Sequence, residues 1–521
     1  MAVPAEVREV PRPKNTVVIA SNTGRYAVRS RLGCKYSVDE DGKRHRTPVN
    51  GPVIGYIENG VYTALEDHIP ALGAGDVDVK DWANVVLCDS RCKDILEDLR
   101  GFYNETDART IYTVAMLRCC YEGTSDRLLE RQYQETYLTE LYPNLNLGKN
   151  AICDLLRNLG RECGRISRFM RMRTDTLEPD DMAIVDGTLK VNDSTVNSYS
   201  AKTRKSHLNN RDHMMVMYAY SLRRREPICS KPYSGTITDR RAIRDFVESV
   251  DLERGVIVAD RGFPPNIVKE AVEGRPGLHW LLPLTKNSRM IERYDLRSYD
   301  DRLEGEDGIQ CRRVRGTDDN GNTIWLYSFR TPHYAAEEEL RYMLSHTGKD
   351  FDPKELEEIR PSFGTIVFES DLEMESATAY SIYESRWMIE LFFKFDKDEL
   401  DLDGVREHSD YSVTGSAFID FLAALMGTRI LNFLESRGAL DDMTYGDVKR
   451  ALRRLKATDS GTGGWRLSRV PKVEAEMAER LGLIERPVVP KEHKARGRPK
   501  GSKDKVPRKR KSTIKDAQSS D

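Results

Sequence analysis

Asp239-Arg-Arg-Ala-Ile-Arg-Asp-Phe-Val-Glu-Ser-Val250, Val256-Ile-Val-Ala-Asp260, Asn266-Ile-Val-Lys-Glu-Ala-Val272 and His279-Trp-Leu-Leu-Pro-Leu284 follow one another in a single stretch of the chain. The first and third have helical period, and the second and fourth are apolar runs of strand length. Asp239 stands where it would cap the first helix. Two earlier apolar runs, Met182-Ala-Ile-Val-Asp186 and His213-Met-Met-Val-Met-Tyr-Ala-Tyr220, read as strands. Strands followed by alternating helices and strands predict an α/β domain built on a mixed sheet.

Working outward, residues 1–80 alternate apolar and polar positions in short runs. Thr16-Val-Val-Ile-Ala20, Arg25-Tyr-Ala-Val-Arg29 and Val53-Ile-Gly-Tyr-Ile57 read as strands, with a turn at Asp39-Glu-Asp-Gly-Lys43. Residues 81–178 are helical in pattern. There Ala151-Ile-Cys-Asp-Leu-Leu-Arg-Asn-Leu-Gly160, after Asn144-Leu-Asn-Leu-Gly-Lys-Asn150, resembles the second half of a helix-turn-helix, and equally a plain helical hairpin. The basic run Arg165 to Arg173 is either a phosphate contact or a solvated helix face. The α/β domain opens at 179–284. Residues 285–375 interrupt it with strand-like Gln310-Cys-Arg-Arg-Val-Arg315 and Thr323-Ile-Trp-Leu-Tyr-Ser-Phe329, then charged helical sequence from Tyr334 to Glu358, which reads as an inserted subdomain. The domain resumes at 376–436, a helical segment fills 437–485, and 486–521 is charged, apolar-poor and disordered in composition.

A chain of 521 residues exceeds one core. It is 39% hydrophobic and 32% charged, as soluble proteins are, and its first residues lack the apolar run of a signal peptide. Phe418 to Leu434 is the best membrane-span candidate, but it is short and carries Asp420 and Arg429, so a buried helix is expected. Nine cysteines suit a reducing compartment. Cys88 and Cys92 are spaced like half of a zinc site, and Cys119-Cys120 would be the other half. With no His at ligand spacing nearby, they read as buried thiols. The net charge of −2 hides an asymmetry: from Arg486 onward the tail carries +9, leaving −11 for the body. Such a tail suits a polyanion.

Asp186 and Asp260 each end an apolar run and are followed by glycine within two residues. Strand ends of open α/β sheets are where ligands bind, and a buried carboxylate needs a partner. A third carboxylate stands in Tyr383-Glu-Ser-Arg-Trp-Met-Ile-Glu-Leu-Phe-Phe-Lys-Phe-Asp-Lys397. Read as one helix, this segment puts Tyr383, Arg386, Glu390 and Lys397 on one face. Three converging carboxylates without Cys or His suit Mg²⁺ or Mn²⁺, and two such ions about 4 Å apart suit phosphoryl displacement. The bland alternatives are turn or cap aspartates and an intrahelical ion pair. Asp193, Asp239 and Asp251 read as turn or cap residues.

Tyr-x2-Arg-x3-Glu-x6-Lys, from Tyr383 to Lys397, resembles the signature of a branch of DDE transposases from prokaryotic insertion sequences. Ile184-Val-Asp-Gly-Thr188 and Val256-Ile-Val-Ala-Asp-Arg-Gly-Phe263 resemble that family's two Asp motifs. Gly415-Ser-Ala-Phe-Ile-Asp-Phe-Leu-Ala-Ala-Leu425 resembles the end of its catalytic domain. The likeness covers about 180–436 well, the first 180 residues loosely and the basic tail not at all. It implies a ribonuclease H-like fold with Asp186, Asp260 and Glu390 as ligands of two Mg²⁺ or Mn²⁺ ions. It further implies a phosphate grip by Tyr383, Arg386 and Lys397, with Lys394 off the matching spacing. Related enzymes that excise through a DNA hairpin hold a flipped base on an insertion-domain aromatic. Trp325 is the nearest candidate, against a plain core tryptophan. The implied activity is cleavage of element ends and joining of the 3′-hydroxyl to target DNA. The implied partners are double-stranded DNA (terminal inverted repeats and target) and a second copy in a synaptic complex, with no membrane, in the cytoplasm at the nucleoid. Two rivals use the same residues: a ribonuclease H-fold nuclease that does not join strands, and a non-catalytic DNA-binding derivative.

In the tail, Lys494-Ala-Arg-Gly-Arg-Pro-Lys500 looks like an AT-hook, with Arg496 and Arg498 suited to a narrow A·T minor groove; the alternative is a non-specific basic tail. Deleting the residues after Arg486 is expected to weaken DNA binding and flatten its salt dependence, by about 0.9 in the log–log slope for each phosphate that the tail neutralises. Binding isotherms at several salt concentrations check this, and an unchanged slope would remove the tail from the interface.

Overall fold

The computed structural model describes residues 3–20, 24–38, 44–65, 77–123, 125–178, 181–203, 211–258, 265–304, 308–346, 351–461 and 464–485. The chain divides into two units, Met1–Val77 and Asp78–Asp521. The first holds an antiparallel sheet of Thr16–Ile19, Tyr26–Val38, Arg44–Glu58 and Val61–Ala64, paired in sequence order. Val28 and Ile57 are fully buried there. The turn expected at residues 39–43 lies outside the described residues.

The second unit is built on one nine-stranded mixed sheet. Its strands are β1 (Met182–Val191), β2 (His213–Ser221), β3 (Glu226–Ser234), β4 (Arg254–Val258), β5 (Gly277–Pro283), β6 (Asp301–Arg302), β7 (Gln310–Thr317), β8 (Thr323–Arg330) and β9 (Thr365–Ser370). The first five lie in the order β3-β2-β1-β4-β5, with β1, β4 and β5 mutually parallel and β2 and β3 returning as an antiparallel meander. Strand β3 was not expected from sequence, because Pro227 and Pro232 interrupt it. Proline cannot donate to a ladder, and the strand sits at the sheet edge where that is tolerated.

Residues 285–375, expected as an inserted subdomain, carry this sheet outward. Strand β9 pairs antiparallel with β5, Leu281 opposite Ser370, and β8, β7 and β6 follow in turn. The charged sequence after β8 forms the helix Pro332–Ser345, as its period predicts.

The helices that matter below are α1 (Ala83–Arg100), α2 (Glu105–Cys120), α3 (Lys149–Arg161), α4 (Cys163–Thr174), α5 (Asp239–Val250), α6 (Pro265–Val272), α7 (Ser376–Ser385), α8 (Trp387–Lys394), α9 (Asp410–Ser436) and α10 (Tyr445–Arg453). The N-cap of α5 is Thr238 rather than Asp239, so Asp239 is its first helical residue, and Asp251 takes the left-handed C-cap position at φ 55°.

Helix α9 is long and apolar enough to cross a bilayer, yet it is mostly buried inside this unit. Its charged residues are paired there: Asp420 accepts from Arg118 of α2 at 2.8 Å, and Arg429 bonds Glu226 of β3 and Asp94 of α1 at 2.8 and 2.7 Å. Helix α3, the recognition-helix candidate, buries Ile152, Leu156, Leu159 and Gly160 and packs on α9, leaving Lys149, Asn150, Asp154 and Asn158 exposed. The basic run after it is not one surface, because Arg173 is buried against Glu226 at 3.1 Å and Arg165 pairs with Glu162.

The α3–α9 crossing is close at two reciprocal glycines. A Cβ on Gly160 would lie 1.8 Å from the Tyr411 carbonyl oxygen, and one on Gly415 would lie 2.1 Å from that of Leu156. Backbone cannot yield as a side-chain tip does, so Gly415→Ala is expected to destabilise this unit by about 1–3 kcal/mol. Gly164→Ala, where a Cβ meets nothing within 4 Å, should be neutral or slightly stabilising. Urea midpoints of the two variants check the contrast.

Candidate active site

Asp186 does not end its strand, as its sequence setting suggested. Strand β1 continues through Gly187 to Val191, and Asp186 stands opposite Tyr218 of β2. Its Oδ1 accepts the Gly187 N–H at 2.7 Å. A Cβ on Gly187 would sit 2.8 Å from Met217 Sδ and 3.2 Å from Met215 Sδ, so a larger residue there would have to displace these methionine side chains. On the other side, β1 pairs in parallel with β4 from Met182 opposite Val256 to Ile184 opposite Val258, the last described residue of β4. Asp186 is two residues past Ile184, and Asp260 is two residues past Val258 in the sequence. Asp260 itself lies outside the described residues, as do Arg496 and Arg498.

Alternate residues of β1 share a face, so Asp186, Thr188 and Lys190 look the same way. Helix α8 covers that region. Its Phe392 ring packs 5.1 Å from Tyr218 and 5.4 Å from Tyr220, and Phe393 lies 5.9 Å from Tyr218. Cross-strand partners present side chains on one face, so the ring that anchors α8 sits on the Asp186 side of the sheet. Ile389 and Phe392 are buried while Glu390 between them is exposed, with Arg386 Nη2 3.6 Å from its carboxylate.

The predicted single helix is in fact three pieces. Helix α7 ends at Ser385, Arg386 joins it to α8, and Phe395–Glu399 is a π turn in which the Leu400 N–H bonds the Phe395 carbonyl at 3.2 Å. This widened turn, which sequence periodicity cannot register, takes Lys397 away from the expected common face. Lys397 Nζ donates to the Leu189 carbonyl of β1 at 2.8 Å and lies 3.5 Å from Asp403. Tyr383 packs on Phe368 of β9 at 4.6 Å with Arg386 over its ring at 5.9 Å, so Tyr383, Arg386 and Glu390 remain together. Lys394 is exposed. Trp325 is elsewhere: it sits in β8 opposite Arg315, half-buried against the core, with Arg313 5.7 Å from its ring. Among the decoys, Asp193 pairs with Arg211.

Sequence reasoning missed the ion pair that ties these parts together. Lys190, 2% exposed, lies 2.9 Å from Asp396, which is 0% exposed. Burial disfavours the Lys190 ammonium, but the Asp396 charge outweighs it and holds its pKa above the ordinary lysine value. Burial also raises the Asp396 carboxyl, and Lys190 only partly offsets this. The Asp strand and the turn following the Glu helix are thus joined by charge inside the core. An Asp flanked by Phe395 and Lys397 was the one available sequence signal, and it equally fits a solvated helix position.

Among the described residues, the sequence-predicted ligands are the carboxylates of Asp186 and Glu390, oxygen donors both, and Arg386 lies 3.6 Å from the second. That donor set fits a hard divalent cation and not a soft one.

Residues 178–426 match the family model described as a transposase DDE domain. That match supports a DDE transposase. It spans the strand of Asp186, the position of Asp260 and the helix of Glu390. A solved structure, the cryo-EM piggyBac transposase synaptic complex with hairpin DNA, is similar over 78% of this chain and 86% of that chain, at 10% identity and a TM-score of 0.36. No curated protein matches the chain.

Asp396→Asn would leave the Lys190 ammonium buried without its counter-charge. It is expected to destabilise the unit by about 3–5 kcal/mol, whereas Lys190→Met with Asp396→Leu should recover most of that loss. Denaturant unfolding of the single and double variants makes the comparison.

Proposed function

We propose that this protein is a DNA transposase of the insertion-sequence type, with a ribonuclease H-like catalytic domain. The strand order β3-β2-β1-β4-β5, with β2 and β3 antiparallel, supports that domain reading. The observation that carries the function is the anchoring of the Glu390 helix on Tyr218, the cross-strand partner of Asp186, within a stretch that matches a transposase DDE domain.

In this reading Asp186, Asp260 and Glu390 hold two Mg²⁺ or Mn²⁺ ions. When bound, these supply activation of the attacking water or 3′-hydroxyl and stabilise the leaving oxygen. The residues of the chain do the rest. Asp186 is fixed by the Gly187 N–H and by the packing of β1 on β2, so its carboxylate is held before substrate arrives. Glu390 is exposed and partnered at 3.6 Å by Arg386, a contact long enough to exchange. Once Glu390 takes its ligand role, the Arg386 guanidinium turns to a phosphate oxygen in a bidentate grip, with the Tyr383 hydroxyl beside it. Lys397 braces β1 through the Leu189 carbonyl, and it reaches a phosphate only by leaving that bond. The substrate is double-stranded DNA at element ends and target, and two copies of the chain hold the two ends. The tail adds the minor-groove contact of an AT-hook, and the site of action is the prokaryotic nucleoid. Trp325, under Arg313 and half-buried, is retained as a stacking residue only for a flipped base.

Glu390→Gln is expected to abolish cleavage of a labelled element end in Mg²⁺ while DNA affinity stays within about twofold, because the substitution removes a metal ligand and no phosphate contact. Full cleavage by this variant would remove Glu390 from the site. Joining of a pre-cut 3′-end to a target plasmid distinguishes a transposase from a nuclease of the same fold.

A further inference from the structure

Four of the nine cysteines converge on one place in the core, away from the carboxylates. Cys88 and Cys92 stand one turn apart on α1, and Cys119 and Cys120 close α2. The Sγ atoms of Cys88, Cys119 and Cys120 all lie within 4.8 Å of one another, and all three residues are buried. Cys92, also buried, stands outside this trio, and its thiol donates to the Met426 carbonyl oxygen of α9 at 4.0 Å. The two helices pack directly on each other, so the thiols face one another across their contact.

The surroundings suit negative charge. Lys449 of α10 is 4% exposed, and its ammonium acts on both Cys119 and Cys120. It also bonds the Glu399 carbonyl at 3.3 Å and pairs with Glu122 at 3.3 Å. Small apolar packing alone does not call for a buried cation beside a sulfur cluster.

We propose that Cys88, Cys119 and Cys120 form a structural thiolate site for a zinc ion that pins α1 to α2, with Cys92 completing the set once its thiol turns from the Met426 carbonyl. Zinc–sulfur bonds of about 2.3 Å place tetrahedral sulfurs about 3.8 Å apart, a contraction that side-chain rotation supplies. Binding releases the thiol protons, and the Lys449 ammonium offsets part of the negative charge of the resulting cluster. Sulfur donors here and oxygen donors at Asp186 and Glu390 make the two regions chemically distinct, so this site stands independently of the transposase reading.

The test is an anaerobic cobalt(II) titration of the full chain after chelator treatment and reduction. One equivalent is expected to give an intense thiolate-to-cobalt band in the near ultraviolet together with tetrahedral visible bands, and zinc should bleach both. An oxygen-only site gives no sulfur band. Cys88→Ser should weaken retention of the ion at least tenfold, while Cys163→Ser, at an exposed cysteine outside the cluster, should leave it unchanged. If Cys88→Ser does not fold, the spectrum of the unsubstituted chain decides alone. Absence of the sulfur band, a band unaltered by Cys88→Ser in folded protein, or a disulfide within the cluster in freshly isolated protein would each overturn the proposal.

Discussion

Two ionised residues inside the long helix α9 constrain where its neighbours can be. Asp420 and Arg429 cannot be buried unpaired, so each must meet opposite charge on an adjoining element. Arg118 brings α2 to Asp420, while Glu226 and Asp94 bring β3 and α1 to Arg429. Glu226 also takes Arg173 of α4, so one carboxylate on the edge strand serves two helices. Gly160 and Gly415 then set the closeness of α3. The helical layer is thereby fixed against the sheet edge by charge and against itself by the absence of two side chains. Apolar burial supplies the attraction, and these features select the arrangement.

The same logic recurs at the candidate site. The strand that carries Asp186 and the helix that carries Glu390 keep their contact only if they cannot slide past one another. Phe392 against Tyr218 supplies contact, but aromatic packing tolerates small shifts. The Lys190–Asp396 pair does not, because any separation strands a charge in the core. It also accounts for the π turn: the extra residue in that turn directs Asp396 inward while Lys397 reaches the Leu189 carbonyl. Two adjacent residues thus grip two points of the strand that carries Asp186.

Much of the sheet was legible because its strands are apolar runs with clear ends. Met182 to Asp186, His213 to Tyr220 and Val256 to Val258 all fall within observed strands, while Ala259 and Asp260 lie outside the described residues. Strand β3 was hidden by its prolines, which are permitted only because it has no outer neighbour, a fact of topology rather than of local sequence. The continuation of β1 past Asp186 was hidden for a related reason. A strand buried on both faces reads as an apolar run, and Asp186 and Lys190 break that run although both lie in the strand. The helical period from Tyr383 grouped Tyr383, Arg386 and Glu390, which the structure keeps together, and it could not register the π turn on which Lys397 stands. The thiol cluster depended on α1 and α2 facing each other, and cysteine spacing alone does not contain that.

The thiol site and the carboxylate site are also mechanically linked. Helix α10 packs on α1, its Tyr445 packs edge-on against Phe395 at 4.9 Å, and Phe395 opens the π turn that holds Asp396 and Lys397. Rigidity imposed where α1 meets α2 therefore reaches the Asp186 strand through α10, one ring contact and one buried ion pair. A hard-cation site assembled from distant segments needs its donors held before the cation arrives, since flexible carboxylates repel one another apart. A thiolate-bound zinc does not compete for those oxygens, and its ligands come from two successive helices that fold as a hairpin. Under the proposed assignments the sulfur donors and the oxygen donors select different classes of metal, so neither set competes with the other.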